Sequence, residues 1–136
     1  TVSNSQKNIF KETFGRKTVN TKQIGEFGER AAGKYLADKG YRIIRYNFRL
    51  KMGEVDIIAQ KDSCIVFVEV KTRKNNLFGE PSEYVNRNKQ MRIRKAAACY
   101  TDIINNDVRF DVIEVFYEQC GAEMAVKKIN HIENAF

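Results

Sequence analysis

The sequence predicts an α/β domain in which one central mixed β-sheet is flanked by α-helices, with the element order α-β-β-β-α-β-β. Two stretches carry apolar residues at three- and four-residue spacing, and five others are rich in β-branched and aromatic residues. The chain has 136 residues, of which 43% are hydrophobic and 30% charged. This size and composition are typical of one globular domain.

The helices are predicted from their caps and apolar stripes. The first begins at Asn20 or Thr21, either of which can cap it, and runs to about Lys39, where Gly40 ends it in a left-handed turn. The second is predicted over about residues 82–104. Both carry an apolar stripe that can pack on a sheet.

The strands are predicted where β-branched and aromatic residues lie between turn signals. They are expected at residues 41–48, 54–60, 64–72, 108–118 and 123–132.

The region before the first helix differs from the rest of the chain. Residues 1–20 are polar, with scattered apolar residues and no sustained period. We therefore expect a flexible basic N-terminal tail over residues 1–20 and a single domain over residues 21–136.

The chain is basic, with 24 lysines and arginines against 17 acidic residues and a net charge of +7. Such a charge favours a polyanionic partner. Between Lys71 and Lys95 there are eight basic residues and two acidic ones. This run is either a nucleic-acid-binding surface or a solvated helix face.

The sequence shows no sign of membrane insertion or export. No segment is apolar over the roughly 20 residues that a membrane helix needs, and no N-terminal apolar region indicates a signal peptide. Cys64, Cys99 and Cys120 are odd in number and lack a metal-binding spacing. We therefore expect free thiols, a cytoplasmic location and no membrane partner.

Three charged residues lie in stretches that otherwise predict buried strands. Asp56 belongs to GEVDIIA, whereas Glu69 and Lys71 belong to FVEVKTR. Each of these charges would cost several kcal/mol to bury without a partner. The short link QKDS favours a hairpin, which would bring Asp56 close to Glu69 or Lys71.

Two interpretations of this cluster are open. Two carboxylates and a lysine on stiff strands suit a hard divalent cation such as Mg²⁺. Alternatively, Lys71 forms an ion pair with Asp56 or Glu69 at a solvated strand end. On the first helix, Glu29 falls at the edge of the apolar arc while Glu26 points to solvent, so Glu29 is the acid able to approach the sheet.

Three further polar residues have simpler interpretations. Lys89 stands on the apolar face of the second helix, which indicates either a groove or a packed stem whose ammonium reaches solvent. Asp111 alternates onto the face of Arg109, so we expect an internal salt bridge that joins strand to helix. His131 has no catalytic partner pattern and is expected to pack or hydrogen-bond at a strand end.

Several blocks occur in one order from about Gly25 to Phe136: GEFGERAAGKYLADKGYRIIRYNFR, GEVDIIA, FVEVKTR, Lys89, RFDVIEV and HIENAF. In these blocks the chain resembles the YraN-type family of uncharacterised bacterial proteins. That family resembles the restriction-endonuclease-like PD-(D/E)XK superfamily, and within it the archaeal Holliday-junction resolvases most. The resemblance implies a restriction-endonuclease-like fold, although Val55 replaces the proline that often precedes the superfamily's aspartate.

The resemblance also implies roles for individual residues. Asp56 and Glu69, with the Val70 backbone carbonyl, would hold Mg²⁺ or Mn²⁺. Glu29 would be an accessory metal ligand that completes the catalytic site. Lys71 would set the hydrolytic water in line with the scissile phosphate.

We therefore expect a metal-dependent nuclease acting on DNA, with branched or distorted DNA favoured because the chain has no recognisable module for reading bases. The alternative is a non-catalytic nucleic-acid-binding module that keeps the fold. Junction resolution requires two sites, which leaves a homodimer open. The residues expected to hold the phosphate backbone are Arg73, Lys74, Arg87, Lys89 and Arg92.

Overall fold

A computed structural model describes residues 10–15, 18–79, 85–100 and 106–136. Two helices and six strands build the described part of the chain. The helices are α1 (Thr21–Asp38) and α2 (Arg87–Ala98), and a short 3-10 helix spans Asn75–Leu77. The strands are β1 (Lys11–Thr13), β2 (Arg42–Leu50), β3 (Gly53–Lys61), β4 (Cys64–Lys74), β5 (Asp107–Cys120) and β6 (Glu123–Ile132).

The strands form one mixed sheet in the order β1-β6-β5-β4-β3-β2. Strands β4 and β5 are parallel, and the other neighbours are antiparallel. The predicted α/β class and mixed sheet are confirmed. All five predicted strands occur within about two residues of their expected ends.

The expected element order is wrong, because an extra strand precedes the first helix. Residues 11–13, assigned to the tail, form β1 and pair antiparallel with β6. Glu12 in β1 also accepts two hydrogen bonds from Arg30 of α1, at 2.6 and 2.8 Å. Three residues are too few to show the alternating pattern of a strand. The conformation of β1 is instead determined by its pairing with β6. Residues 1–9 of the expected tail lie outside the described residues.

The first helix follows its prediction. Asn20 caps it: its side-chain oxygen accepts a hydrogen bond from the Gln23 backbone amide at 2.8 Å, and the Gln23 side-chain oxygen accepts one from the Asn20 backbone amide at 3.0 Å. At the other end, Gly40 has a φ of 91°, the left-handed conformation expected there.

The second helix is shorter than the predicted 82–104. Asn86 caps it by accepting from the Lys89 amide at 2.9 Å, so the helix begins at Arg87 rather than near residue 82. It ends at Ala98, and residues 80–84 and 101–105 lie outside the described residues. Of the helices described, neither combines the length and the hydropathy that crossing a membrane requires.

The helices pack on opposite faces of the sheet. Residues Ala31, Ala32 and Leu36 of α1 form one core with Ile57, Ala59, Val66, Val68, Ile113 and Val115. Residues Ile93, Ala96 and Ala97 of α2 form another core with Val55, Ile58, Ile65, Phe67 and Val112. Strands β3, β4 and β5 are therefore covered on both sides, which explains their continuous apolar runs.

Asp111, near the start of β5, is fully buried and hydrogen-bonded on several sides. Arg109 donates to it from Nε and Nη2, each at 2.8 Å, and the Asn134 amide donates at 3.0 Å. His131 Nε2 lies 2.7 Å from Asp111 Oδ2, and His131 Nδ1 lies 3.2 Å from the Tyr35 hydroxyl of α1.

The expected salt bridge of Asp111 is therefore present, but it does not join strand to helix directly. The ion pair lies within β5, and α1 is reached only through His131 and Tyr35. The expectation that His131 hydrogen-bonds at a strand end is confirmed. Burial alone would raise the pKa of Asp111, but hydrogen bonds from His131 and Arg109 outweigh it and hold the pKa below its ordinary value.

We predict that Asp111→Asn lowers the free energy of unfolding by about 3 kcal/mol, because the Arg109 guanidinium loses its buried anion and keeps, among the described acids, only the exposed Glu133, 3.8 Å away. Urea denaturation at pH 7 measures this. Asp107→Asn changes an exposed residue at the start of the same strand and should alter stability by less than about 0.5 kcal/mol. Equal midpoints for the two variants would contradict the prediction.

Candidate functional site

The site forms where β3 separates from β4. The ladder between these strands ends at Ile57 opposite Val68, and the next pair in the same register would be Asp56 and Glu69. Instead, Asp56 Oδ2 accepts a hydrogen bond from the Val70 amide at 2.8 Å. A side-chain carboxylate thus stabilises β4 at the point where the neighbouring backbone turns away.

The alternation of faces in β3 breaks at the same place. Val55 packs in the α2 core and Ile57 in the α1 core, although residues two apart in a regular strand share a face. In the adjoining segment of β2, Asn47 has a φ of 51°, which asparagine adopts more readily than most residues. This local twist leaves the Asp56 side chain at the opening between the strands.

Helix α1 approaches the opening closely enough to form its second wall. A Cβ on Gly28 would lie 1.8 Å from Thr72 Oγ1, so only glycine permits this contact. The resulting space of about 310 Å³ is named here the acidic cleft. The acidic cleft is lined by Thr21, Ile24, Gly25, Glu29, Asp56, Glu69, Val70, Lys71 and Thr72.

The structure brings all four expected catalytic residues to this cleft. Glu29 projects from α1, Asp56 from β3, and Glu69 and Lys71 from β4. Glu26 does not line it and lies 4.0 Å from Lys22 instead. Sequence reasoning therefore distinguished the two acids of α1 correctly by their position on the helix.

Glu69 has the most unusual environment of the four. Its side chain is only 7% exposed, and its Oε2 is buried without a hydrogen-bond partner among the described residues. Oε1 lies 3.8 Å from Lys89 Nζ and 4.0 Å from Lys71 Nζ. Burial, together with the nearby charge of Asp56, raises the pKa of Glu69 to about 8. Burial and Asp56 therefore both favour the protonated form of this carboxyl.

The ion pair of the alternative interpretation is present, since Lys71 Nζ and Glu69 Oε1 lie 4.0 Å apart, but it is not at a solvated strand end. The distances from Glu69 to Lys71 and Lys89 exceed hydrogen-bonding range, and Glu69 is buried rather than at a solvated end. The two ammonium groups lower the pKa of Glu69 less than burial and Asp56 raise it.

Glu54 was not assigned a role from sequence, yet three basic side chains surround it beside the cleft. Lys89 Nζ donates to Glu54 Oε1 at 2.7 Å, Arg49 Nη1 donates at 3.2 Å, and Arg92 Nε lies 4.0 Å away. The hydrogen bond from Lys89 lowers the pKa of Glu54. Burial opposes protonation of Lys89, but Glu54 and Glu69 together raise its pKa above the ordinary value.

Glu29 forms the outer side of the acidic cleft. Its Oε2 accepts a hydrogen bond from Asn47 Nδ2 at 3.0 Å. Burial, followed by the charge of Asp56, raises the pKa of Glu29. Sequence reasoning missed Asn47, and its only signal was an asparagine inside an otherwise apolar and basic strand.

The donor set fits a hard divalent cation in an open site. Asp56 and Glu69 supply carboxylate oxygens, one of them buried without a partner, and Glu29 lies within electrostatic reach of Asp56. Among the described residues, no three His, Cys, Asp or Glu side chains lie close enough together to hold a metal ion between them, so Asp56 and Glu69 are not joined by Glu29 as a third direct ligand in this arrangement. Mg²⁺ does not need three such ligands, because it is usually held by one or two carboxylates and keeps several waters.

One of the residues expected to bind nucleic acid is not accessible to a nucleic acid. Arg73 is 13% exposed and donates to buried Glu114 at 2.9 Å, so its charge is committed inside the protein. Lys74, Arg87 and Arg92 are exposed.

The fold and the acidic cleft together define a mixed α/β protein with a carboxylate-and-lysine site where two sheet strands separate. The sequence profile of the uncharacterised protein family UPF0102 matches residues 28–115, and the chain belongs to this family. The expected YraN-type family is thereby confirmed.

Relatives match over most of their length. The chain is 50% identical to a UPF0102 protein of Alkaliphilus metalliredigens over 119 residues, which is 85% of this chain and 99% of the relative. It is 48% identical to one of Caldicellulosiruptor bescii over 122 residues, covering 87% and 100% of the two chains. A Clostridioides difficile relative is 46% identical over 121 residues, with the same coverage.

We predict that Glu69→Gln stabilises the metal-free protein more strongly at pH 9 than at pH 5. The raised pKa means that Glu69 contributes stability below about pH 4.5, and this contribution is lost as pH rises through about 8. Glutamine does not titrate, so its advantage should grow across that window by on the order of 3 kcal/mol.

Urea denaturation in EDTA at both pH values measures this difference. Glu123→Gln, at an exposed acid in β6, is the matched control and should show the same small effect at both pH values. Parallel behaviour of the two variants would refute the raised pKa of Glu69.

Proposed function

We propose that this protein is a metal-dependent nuclease that hydrolyses DNA phosphodiester bonds. One observation carries the proposal: the carboxyl groups of buried Glu69 and half-buried Asp56 lie side by side, and no described donor reaches Glu69 Oε2, so the two groups stay together only by sharing a proton or a cation. Such an arrangement destabilises the metal-free protein and is compensated when a cation binds. Asp56 and Glu69 are the proposed ligands for Mg²⁺ or Mn²⁺, with Glu29 orienting the shell.

The remaining groups of the cleft suit phosphodiester hydrolysis. When bound, the cation would polarise the phosphate and lower the pKa of a water molecule. Lys71, with a side chain 22% exposed, can orient the attacking water or stabilise charge that develops on the phosphate. The hydrogen bond from the Val70 amide fixes Asp56 on β4, which keeps the two carboxylates in register.

The spacing of these residues supports the proposed relationship to the restriction-endonuclease-like superfamily. Glu69 and Lys71 form an E-x-K pair on one strand, and Asp56 stands beside them on the neighbouring strand. A restriction-endonuclease-like arrangement of the mixed sheet is part of the same proposal.

The proposed DNA surface runs outward from the cleft along α2. Lys89 and Arg92 are gathered by Glu54, and Arg87 stands exposed at the start of the same helix. These lysine and arginine side chains would contact phosphates and not base edges. Such contacts carry no direct sequence information, so the proposed surface favours recognition of DNA by its shape. Arg73 is left out of this surface because its side chain is only 13% exposed and is bound to buried Glu114, whereas the side chains of Lys89 and Arg92 are 26% and 44% exposed.

We predict that the wild-type protein cleaves flap or four-way-junction DNA in Mn²⁺, and that Asp56→Asn and Lys71→Met each reduce the rate at least about 100-fold. Loss of a metal ligand or of a transition-state cation removes that much stabilisation. Gel analysis of end-labelled substrates measures the rates.

Lys127→Ala, at an exposed lysine in β6, controls for a contaminating nuclease and should keep full activity. Equal cleavage by all variants would attribute the activity to a contaminant. Salt-dependent binding that survives Asp56→Asn, with no cleavage by the wild type, would instead identify a non-catalytic binding module.

We also predict that Arg92→Ala weakens DNA binding about equally for different sequences and lowers the slope of log affinity against log salt by about 1. Arg94→Ala is the matched control. Arg94 is exposed on the same helix, but its guanidinium lies over the Phe110 ring, 4.7 Å from the ring centroid. Titrations at several salt concentrations measure the slopes, and identical slopes for the two variants would remove Arg92 from the proposed surface.

A further inference from the structure

An exposed aromatic ring lies beyond the end of β4. Phe78 is 48% exposed and follows the 3-10 helix. Its ring is nearly perpendicular to that of buried Phe116, with centroids 5.2 Å apart. Lys128 Nζ lies over the same ring, 4.6 Å from its centroid. We name Phe78, Phe116 and Lys128 the Phe78 platform.

The Phe78 platform stands on the face of the sheet that carries Glu69. In β4, Glu69 and Arg73 are four residues apart and therefore share a face. Arg73 pairs in register with Phe116 of β5, and Phe116 pairs with Lys128 of β6. Four residues of strand correspond to about 13 Å, which is the approximate offset of the platform from the acidic cleft.

The surroundings of the platform are positively charged. Lys128 is exposed, and exposed Lys74 ends the strand that leads from the cleft. Two carboxylates lie nearby. Glu114 is buried and hydrogen-bonded to Arg73 and Asn130 at 2.9 Å each. Glu118 is exposed, but it accepts a hydrogen bond from Asn75 at 3.1 Å and lies 3.7 Å from Lys127. A ligand that meets Phe78 therefore encounters a flat ring flanked by cations, a combination that binds the bases and phosphates of single-stranded nucleic acid.

We propose that the Phe78 platform is a subsite that stacks an unpaired nucleobase of the DNA substrate. This inference rests on the proposed nuclease function and specifies its substrate class. At 3.4 Å per nucleotide, about 13 Å spans roughly four nucleotides of a duplex strand. A base inside a duplex presents no free face to a side chain, so the substrate has an unpaired nucleotide a few positions from the cleaved bond.

The test compares DNA with a single-stranded flap against blunt duplex of the same length. Binding is measured in EDTA, so that cleavage does not interfere, and 2-aminopurine in the flap reports stacking through quenched fluorescence. Phe78→Ala should reduce the preference for flap over duplex about 5- to 150-fold and abolish the quenching. Phe78→Tyr keeps a ring and should retain both, whereas Phe78→Leu keeps apolar cover over Phe116 and should lose both.

Leu77→Ala is the matched control, because Leu77 is the adjacent residue and is 40% exposed. It should leave preference and quenching unchanged. An unchanged preference in Phe78→Ala and Phe78→Leu, or a wild type that binds flap and duplex equally, overturns the subsite while leaving the cleavage assay to judge the nuclease proposal. Conversely, ring-dependent flap preference without metal-dependent cleavage would sustain the subsite and reject the nuclease.

Discussion

The site depends on one hydrogen bond, from the Val70 amide to the Asp56 carboxylate. It forms where the backbone ladder between β3 and β4 ends, and it replaces the bond that a continuing strand would have made. Without it, β4 would have an unsatisfied amide beside buried Glu69. Because it exists, two strands can separate while their side chains stay in register, and the gap between them becomes a cleft.

The charged groups of the cleft are arranged in a way that does not maximise the stability of the protein. Burial and the charge of Asp56 favour the protonated form of Glu69, and Glu54 draws Lys89 toward itself rather than toward Glu69. A protein selected only for stability would pair this acid or replace it with an apolar residue. Buried acids with strongly raised pKa values occur more often at functional sites than elsewhere, and this is why Glu69 is central to the proposed function.

Much of this arrangement could be read from sequence because it follows simple periods. The alternation of side chains along a strand predicted that Glu69 and Lys71 share a face, and the short hairpin link predicted that Asp56 lies near them. The period of the first helix predicted that Glu29, and not Glu26, faces the sheet. Three features could not be read. The change of faces in β3 depends on the twist at Asn47. The ion pair that removes Arg73 from the DNA surface joins two residues on neighbouring strands that are 41 positions apart in sequence. Strand β1 is too short to have a pattern of its own.

Strand β1 also affects how readily the edges of the sheet can pair with another molecule. By pairing with β6 and joining α1 through Glu12 and Arg30, β1 covers one border of the sheet. The opposite border, β2, is interrupted by a bulge near Ile44 and by the left-handed Asn47. Among the described residues, β1 pairs with the first three residues of β6, Glu123–Ala125. Such pairing, like the interruptions in β2, shortens the long, regular row of free amides and carbonyls at a border, which is how natural sheets resist edge-to-edge aggregation. Removing three residues from the start of the sheet would uncover such a row along β6.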